Sequence, residues 1–346
     1  MEAINLVLEL IQIALGKRNE LSIVPTAKQW ENIKNFACKH ALAGIVFAAI
    51  EKLPKSQYPD KAVIMHLFAQ AECYKRNYTR HQGVARKLAM LWNTIGVESV
   101  VLKGQTIAQY YPNPELRFSC DLDLFVQDGW QNACCLLEQE GIALEYEVYK
   151  EAEFEIDNVY VELHRFITPV RGNKNLHNFE LFLRDLLSIG KEYFDESLLV
   201  KPPLMFVVML YIEHALGDFL RAHLSFKHIV DWVVLRNLSF DRTEFQDTCK
   251  RFGFDRFLIL LDNITDVVEG KKRYEELSVN EKQIFDELIS QKVKEQKQMT
   301  WFKRRVDLFF EIVANAKRFK QYGYCSMHSF LFNAMWSHFF QKEVKL

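Results

Sequence analysis

Hydrophobic and polar positions alternate with two different periods along the chain, and the change of period divides it into three parts. Up to about residue 80 the apolar positions recur at helical spacing. Thr26 with Gln29 three residues on has the form of a capping box, which predicts a helix running to about His40. Lys55-Ser56-Gln57-Tyr58-Pro59 reads as a loop. A second helical stretch starts near Lys61 and carries Val84, Leu88, Leu91 and Ile95 on one face, with Gly96 as its stop.

The period then shortens to two. Glu98-Ser99-Val100-Val101-Leu102 is a short strand ended by Lys103-Gly104, and a brief helical piece, Gln105 to Tyr111, stops at Pro112. Asp121-Leu122-Asp123-Leu124-Phe125-Val126 alternates as a half-buried strand does. Trp130 to Glu140 is expected as a helix ended by Gly141. Ile142–Tyr149, Ala152–Ile156 and Val159–Ile167 are expected as strands, with Asp157-Asn158 as a hairpin turn between the last two.

After Thr168-Pro169 the helical period returns. Lys201-Pro202-Pro203 opens a long helical region, and Ser278 with Glu281 forms a second capping box. The expected fold is therefore α+β: a small mixed β-sheet core over 81–195, flanked by an N-terminal helical region (1–80) and a C-terminal one (196–346).

Composition narrows the choice. Hydrophobic residues make up 49% of the 346 and 27 are Phe, enough to bury several packed units. Forty-four Lys and Arg against 45 Asp and Glu give no basic excess, so no nucleic-acid partner is expected. The seven cysteines form no C-x-x-C pair, which reads as reduced thiols without a zinc frame. No signal-peptide form is visible, and the longest apolar run, Leu204–Ile212, falls far short of the roughly 20 residues a membrane span needs. A cytoplasmic protein without membrane contact is the expectation.

The chemistry concentrates in the middle part. On a strand, Asp121 and Asp123 share one face about 6–7 Å apart, while Leu122, Leu124 and Val126 face a core. Aspartate is disfavoured in strands, and two together repel. A hard cation such as Mg²⁺ or Mn²⁺ would remove that penalty. In Tyr160-Val161-Glu162-Leu163-His164, Glu162 again opposes its apolar neighbours. If that strand lies beside the first, three carboxylates can hold two metals about 3.5–4 Å apart, as in-line phosphoryl displacement requires. His164 is placed behind Glu162 rather than on the metal. Upstream, Lys103-Gly104-Gln105-Thr106 turns from strand into helix, where free N–H groups bind phosphate. Arg117 either clamps a phosphate as well or pairs with Glu115 or Asp121.

The order strand–Gly–helix–strand(D-x-D)–strand(E) resembles the polymerase-β-like nucleotidyltransferases. More closely, Val101-Leu102-Lys103-Gly104, Tyr111-Pro112, Leu116-Arg117 and Asp121-Leu122-Asp123-Leu124-Phe125-Val126 resemble a bacterial nucleotidyltransferase family with an L-K-G, L-R, D-x-D-L pattern. Glu162-Leu163-His164, His214 and Val230-Asp231 match its later features, and the likeness spans about 30–280. It implies transfer of a nucleoside monophosphate, AMP from ATP first among them, from an NTP to a hydroxyl of a small molecule or protein. Asp121, Asp123 and Glu162 would serve as metal ligands and catalytic groups. The chain has Gly104-Gln105 where the wider superfamily has Gly-Ser, so a catalytically degenerate nucleotide-binding or regulatory protein of the same fold stays open.

Other features take plainer readings. His214, His223 and His228 stand at offsets of nine and five, which do not fit one helix face, and read as structural or surface residues. Asp231 reads as a polar contact between helices or, alternatively, as part of the acceptor pocket's lining. Trp301, Phe302, Phe309, Phe310, Phe330, Trp336, Phe339 and Phe340 read as packing core, and Lys303-Arg304-Arg305 as a solvated face. A helical protein-interaction module, with these aromatic helices as its surface, is the third reading.

Overall fold

The structure, a computed structural model, describes residues 2–147, 151–168, 174–189, 191–290 and 309–331. The N-terminal part is helical as the spacing predicts: α1 (Glu2–Ala14), α2 (Ala27–Lys39), α3 (Ala43–Lys52) and the long α4 (Lys61–Asn93). Both bonds of the capping box at α2 form. Thr26 Oγ1 accepts from the Gln29 amide at 3.3 Å, and Gln29 Oε1 accepts from the Thr26 amide at 2.7 Å.

The middle part builds a seven-stranded mixed sheet in the order β3-β4-β5-β2-β1-β7-β6. Its members are β1 (Ser99–Val101), β2 (Leu122–Val126), β3 (Glu145–Glu147), β4 (Glu151–Ile156), β5 (Val159–His164), β6 (Glu192–Tyr193) and β7 (Val200–Lys201). Helices α5 (Gly104–Ala108), α6 (Trp130–Gln139) and α7 (Lys174–Ser188) interleave with them. Asp157 and Asn158 both take positive φ, 52° and 56°, and join β4 to β5 by a two-residue turn whose twist suits a hairpin.

Several boundaries differ from the periodicity. The strand expected over Ile142–Tyr149 is confined to Glu145–Glu147 among the described residues, and 148–150 lie outside them. The strand expected to reach Ile167 stops at His164, and α7 then holds the segment that follows. The buried Glu180 carboxylate accepts from the amides of Ile167 (3.1 Å) and Thr168 (2.9 Å) and from Arg184 (2.8 Å). Strands β6 and β7 add an unexpected edge to the sheet, and β7 carries it past residue 195; two residues each are too short to carry a period.

The C-terminal part contains α8 (Leu204–Leu220), α9 (Phe226–Leu235), α10 (Arg242–Phe252), α11 (Asp255–Val268), α12 (Val279–Ser290) and α13 (Ala316–Tyr322). The second capping box also forms, with Ser278 and Glu281 exchanging bonds of 2.8 and 3.3 Å. No described helix is long and apolar enough to cross a membrane. The aromatic stretch only partly meets its expectation. Phe330 packs on Phe319 at 5.1 Å, but Phe309 and Phe310 are exposed, so they are not core. Trp301, Phe302, Trp336, Phe339, Phe340 and the basic run 303–305 lie outside the described residues.

Two cores sandwich the sheet. Leu122, Leu124, Val126, Phe154, Val161 and Leu163 point to one face and meet Val84, Leu88 and Trp92 of α4 and Ala133 and Leu137 of α6. Val100, Phe125 and Val200 point to the other and join a core with α7 and α8. The polar members of β2 and β5 share this second face, because side chains alternate along a strand.

The N-terminal helices lock onto the core at one tight spot. A Cβ on Gly44, in α3, would lie 2.3 Å from the carbonyl oxygen of Leu116, which is backbone and cannot swing aside. Gly44→Ala is therefore expected to destabilise the protein by about 1–3 kcal/mol, the usual cost of overpacking. Chemical denaturation of the two proteins measures it; an unchanged midpoint would show that α3 and the 114–116 turn are free to part.

Candidate active site

Strands β2 and β5 run parallel and adjacent, with Asp123 and Glu162 as direct register partners. Both side chains leave the sheet on the face opposite the Leu122–Val161 core, so pairing alone brings the two carboxylates together. His164, two residues on, stands on the same face, and Glu151 of β4 is its register partner. Among the described residues, Asp123, Glu162 and His164 each present one ligand atom within 4.8 Å of the others'. Asp121 is not in that tight group. It precedes β2 by one residue, is half-buried, and takes a long contact from the Cys120 thiol at 3.4 Å.

Two cations converge on one oxygen of Asp123. Lys103 Nζ donates to Oδ1 at 2.6 Å and His164 Nε2 at 2.8 Å, while His164 Nδ1 lies 3.0 Å from Glu151. Burial opposes the charge of Asp123, but Lys103 and the bond from His164 overcome it and hold the carboxyl well below the usual range. Burial and Lys103 likewise oppose the charged imidazole, yet the bonds to Asp123 and Glu151 raise its pKa. With both ring nitrogens donating to carboxylates, His164 has no lone pair for a metal and acts as a positive support behind Asp123. Glu162 has no comparable partner. Its nearest cation is His164 Nε2 at 3.5 Å, and burial followed by the Asp123 charge pushes its carboxyl up to about 7. A carboxylate so poorly compensated, beside a second one and with Asp121 close by in sequence, is an oxygen-donor set that fits Mg²⁺ or Mn²⁺.

The Lys103-Gly104 turn lies against this centre. Lys103 sits at φ 49°, ψ −111°, a conformation that costs a non-glycine residue about 1–3 kcal/mol and is characteristic of functional sites. Its ammonium is thereby held on Asp123. Gly104 lets the chain pass under Ser119, since a Cβ there would fall 2.1 Å from Ser119 Oγ. Gln105 contacts His81 Nδ1 at 3.1 Å through Nε2, and its Oε1 is buried with no protein partner.

Two residues expected at the phosphates are committed elsewhere. Thr106 is buried and its hydroxyl donates to the Val101 carbonyl at 2.5 Å, closing the end of β1. Arg117 is buried too, and its partner is neither Glu115 nor Asp121. It pairs through Nε and Nη2 with both oxygens of Asp231 (2.7 and 2.8 Å), and Nη1 donates to the Gly104 carbonyl at 2.9 Å. Tyr111 donates to the same Asp231 at 2.6 Å. Asp231 is thus a buried polar contact, but between α9 and the loop ahead of β2 rather than between two helices.

Helix α8 contributes groups that spacing did not reveal. Glu213 is 4% exposed and makes no hydrogen bond or ion pair among the described residues. Burial lifts its carboxyl to about 7, and Lys103 is the charge that most opposes this. The signal was a single acid directly after an apolar run. His214, Asp218 and His228 also gather, with Asp218 Oδ2 3.6 Å from His214 and 3.4 Å from His228. Offsets between histidines miss this cluster because an aspartate on α8 and a histidine on α9 complete it. The Ser225 amide donates to His228 Nδ1 at 3.0 Å, so Nε2 carries the proton and faces Asp218. Like Asp123, Glu162 and His164, the three residues His214, Asp218 and His228 present ligand atoms within 4.8 Å of one another.

Residues 26–265 match a family model described as uncharacterised nucleotidyltransferase. No curated protein and no solved structure matches the chain.

Breaking the buried pair by Asp231→Asn leaves the Arg117 guanidinium uncompensated and is expected to cost about 3–5 kcal/mol, read by denaturant unfolding. The raised Glu213 has a pH signature. Its burial is harmless below about pH 4.5, where it is protonated folded or unfolded, and costs most above pH 7, where it must ionise in place. Wild-type stability should therefore fall between those values, with a Glu213 share of about 3 kcal/mol. Glu213→Gln should flatten that share of the slope, and an unaltered slope would show that Glu213 is solvated.

Proposed function

The chain belongs to the uncharacterised nucleotidyltransferase family, and on that premise we propose that it moves a nucleoside monophosphate, AMP from ATP first among them, to a hydroxyl of a small molecule or protein. The acceptor oxygen forms a bond to the α-phosphorus, the bond to the β-phosphate oxygen breaks, and pyrophosphate leaves. The observation that supports this reading is the register pairing of Asp123 with Glu162 beside the strained Lys103-Gly104 turn.

Asp121, Asp123 and Glu162 would hold Mg²⁺ or Mn²⁺. Bound there, the ions supply Lewis acidity at the phosphates and neutralise the charge that develops on the leaving group. The chain's own groups do the rest. Glu162, the least compensated carboxylate of the centre, completes the ligand set and assists in taking the acceptor hydroxyl's proton. Lys103 and His164 keep Asp123 ionised. Gly104 gives phosphate access to the backbone at the turn, and Gln105 offers its free Oε1 to a donor on the nucleotide. Helices α8 and α9 form the acceptor side.

Gln105 also supports a second reading, a nucleotide binder without turnover, because its amide is turned to His81 where a hydroxyl would grip the triphosphate. One experiment separates the two. The protein is incubated with each α-labelled NTP, Mn²⁺ and a cell extract, alongside Asp123→Asn and Glu162→Gln. Transfer predicts a labelled product from the wild type that drops at least about a hundredfold in either variant. No product from any of the four NTPs, with nucleotide binding retained, leaves the binder.

A further inference from the structure

Beside the neutralised Arg117 stands a cation that has no direct carboxylate contact among the described residues. Lys227 is the second residue of α9, half-buried, and no carboxylate lies within ion-pair distance of it among the described residues. Its Nζ reaches only the Phe118 carbonyl, at 3.5 Å, long for a hydrogen bond. Arg117 Nη1 approaches that same oxygen at 3.4 Å. Two positive groups thus share one carbonyl, in the loop between the glycine turn and Asp121.

The arrangement is unfavourable for the protein by itself. Burial and the Arg117 charge both depress the Lys227 pKa, and the start of a helix is the end where a cation is least welcome. Asp231 and Asp121 relieve it only in part: burial and Arg117 outweigh them, and both oxygens of Asp231 are already bonded to Arg117 and Tyr111. An ammonium kept at a cost, with free donors facing the Phe118–Asp121 loop, matches a multiply charged anion arriving there.

We propose that Lys227 grips the polyphosphate of the nucleotide, the place in the site that Arg117, locked to Asp231, cannot take. The proposal rests on the nucleotidyl-transfer reading and assigns a specific residue on α9 to the donor substrate, so that the helical region closes on the nucleotide as well as on the acceptor.

The test measures inorganic tripolyphosphate binding by calorimetry, and ligand-free Tm, for the wild type, Lys227→Met and Lys227→Gln. Both variants should bind tripolyphosphate about 10- to 100-fold more weakly. Their Tm should hold or rise, since each loses an uncompensated charge. Wild-type affinity in Lys227→Gln overturns the proposal, because a donor without charge would then suffice. So does weakened binding accompanied by a fall in Tm in both variants, which makes Lys227 a structural prop. A wild type that ignores tripolyphosphate overturns it as well. A wild type that binds tripolyphosphate through Lys227 yet transfers no nucleotide sinks the enzyme reading alone.

Discussion

Asp231 is 1% exposed, and a carboxylate so deep in a protein is tolerable only if its charge is met. Arg117 meets it with two parallel bonds, Tyr111 supplies a third, and the remaining arm of Arg117 holds the Gly104 carbonyl. Three separate pieces of chain are joined by this one pair: helix α9, the loop before β2, and the glycine turn after β1. The position of the turn relative to the acidic strand follows from it. The pair also ties α9 to the loop that leads into the acidic strand.

That polar face is a layered arrangement of charge. Asp123 is surrounded by Lys103 and His164, and His164 is in turn held by Glu151, so positive and negative groups alternate outward from β2 across the sheet. Glu162 and Glu213 fall outside the alternation and keep carboxyls raised to about 7. Imbalance of this kind in a buried layer costs stability, and it is concentrated where the chemistry is expected.

Much of this was legible in the sequence, for identifiable reasons. The alternation in 121–126 and 159–164 was long enough to show which side chains share a face, and the Asp157-Asn158 dipeptide announced its turn. The family resemblance added the order of elements. What escaped was non-local or brief. Strands β6 and β7 have two residues each and no period to detect. The ligands of Arg117 and the cluster around Asp218 are set by packing between helices far apart in the chain, which spacing within one helix cannot report. Asp121 sits ahead of β2 rather than within it, so the two-residue rule that aligned it with Asp123 did not settle its place. The aromatic residues Phe309 and Phe310 misled because composition alone cannot say which side of a helix is covered.

The parallel pairing of β2 with β5 has an evolutionary corollary. Parallel neighbours cannot be joined by a tight turn, so the chain must leave the sheet after Val126 and return at Val159, passing through α6 and the outer strands on the way. The alignment of Asp123 with Glu162 is enforced by the ladder between the two strands and owes nothing to the length of that excursion. Lineages can therefore lengthen, trim or redecorate the excursion, and so reshape one wall of the cleft, while the acidic pair stays in register.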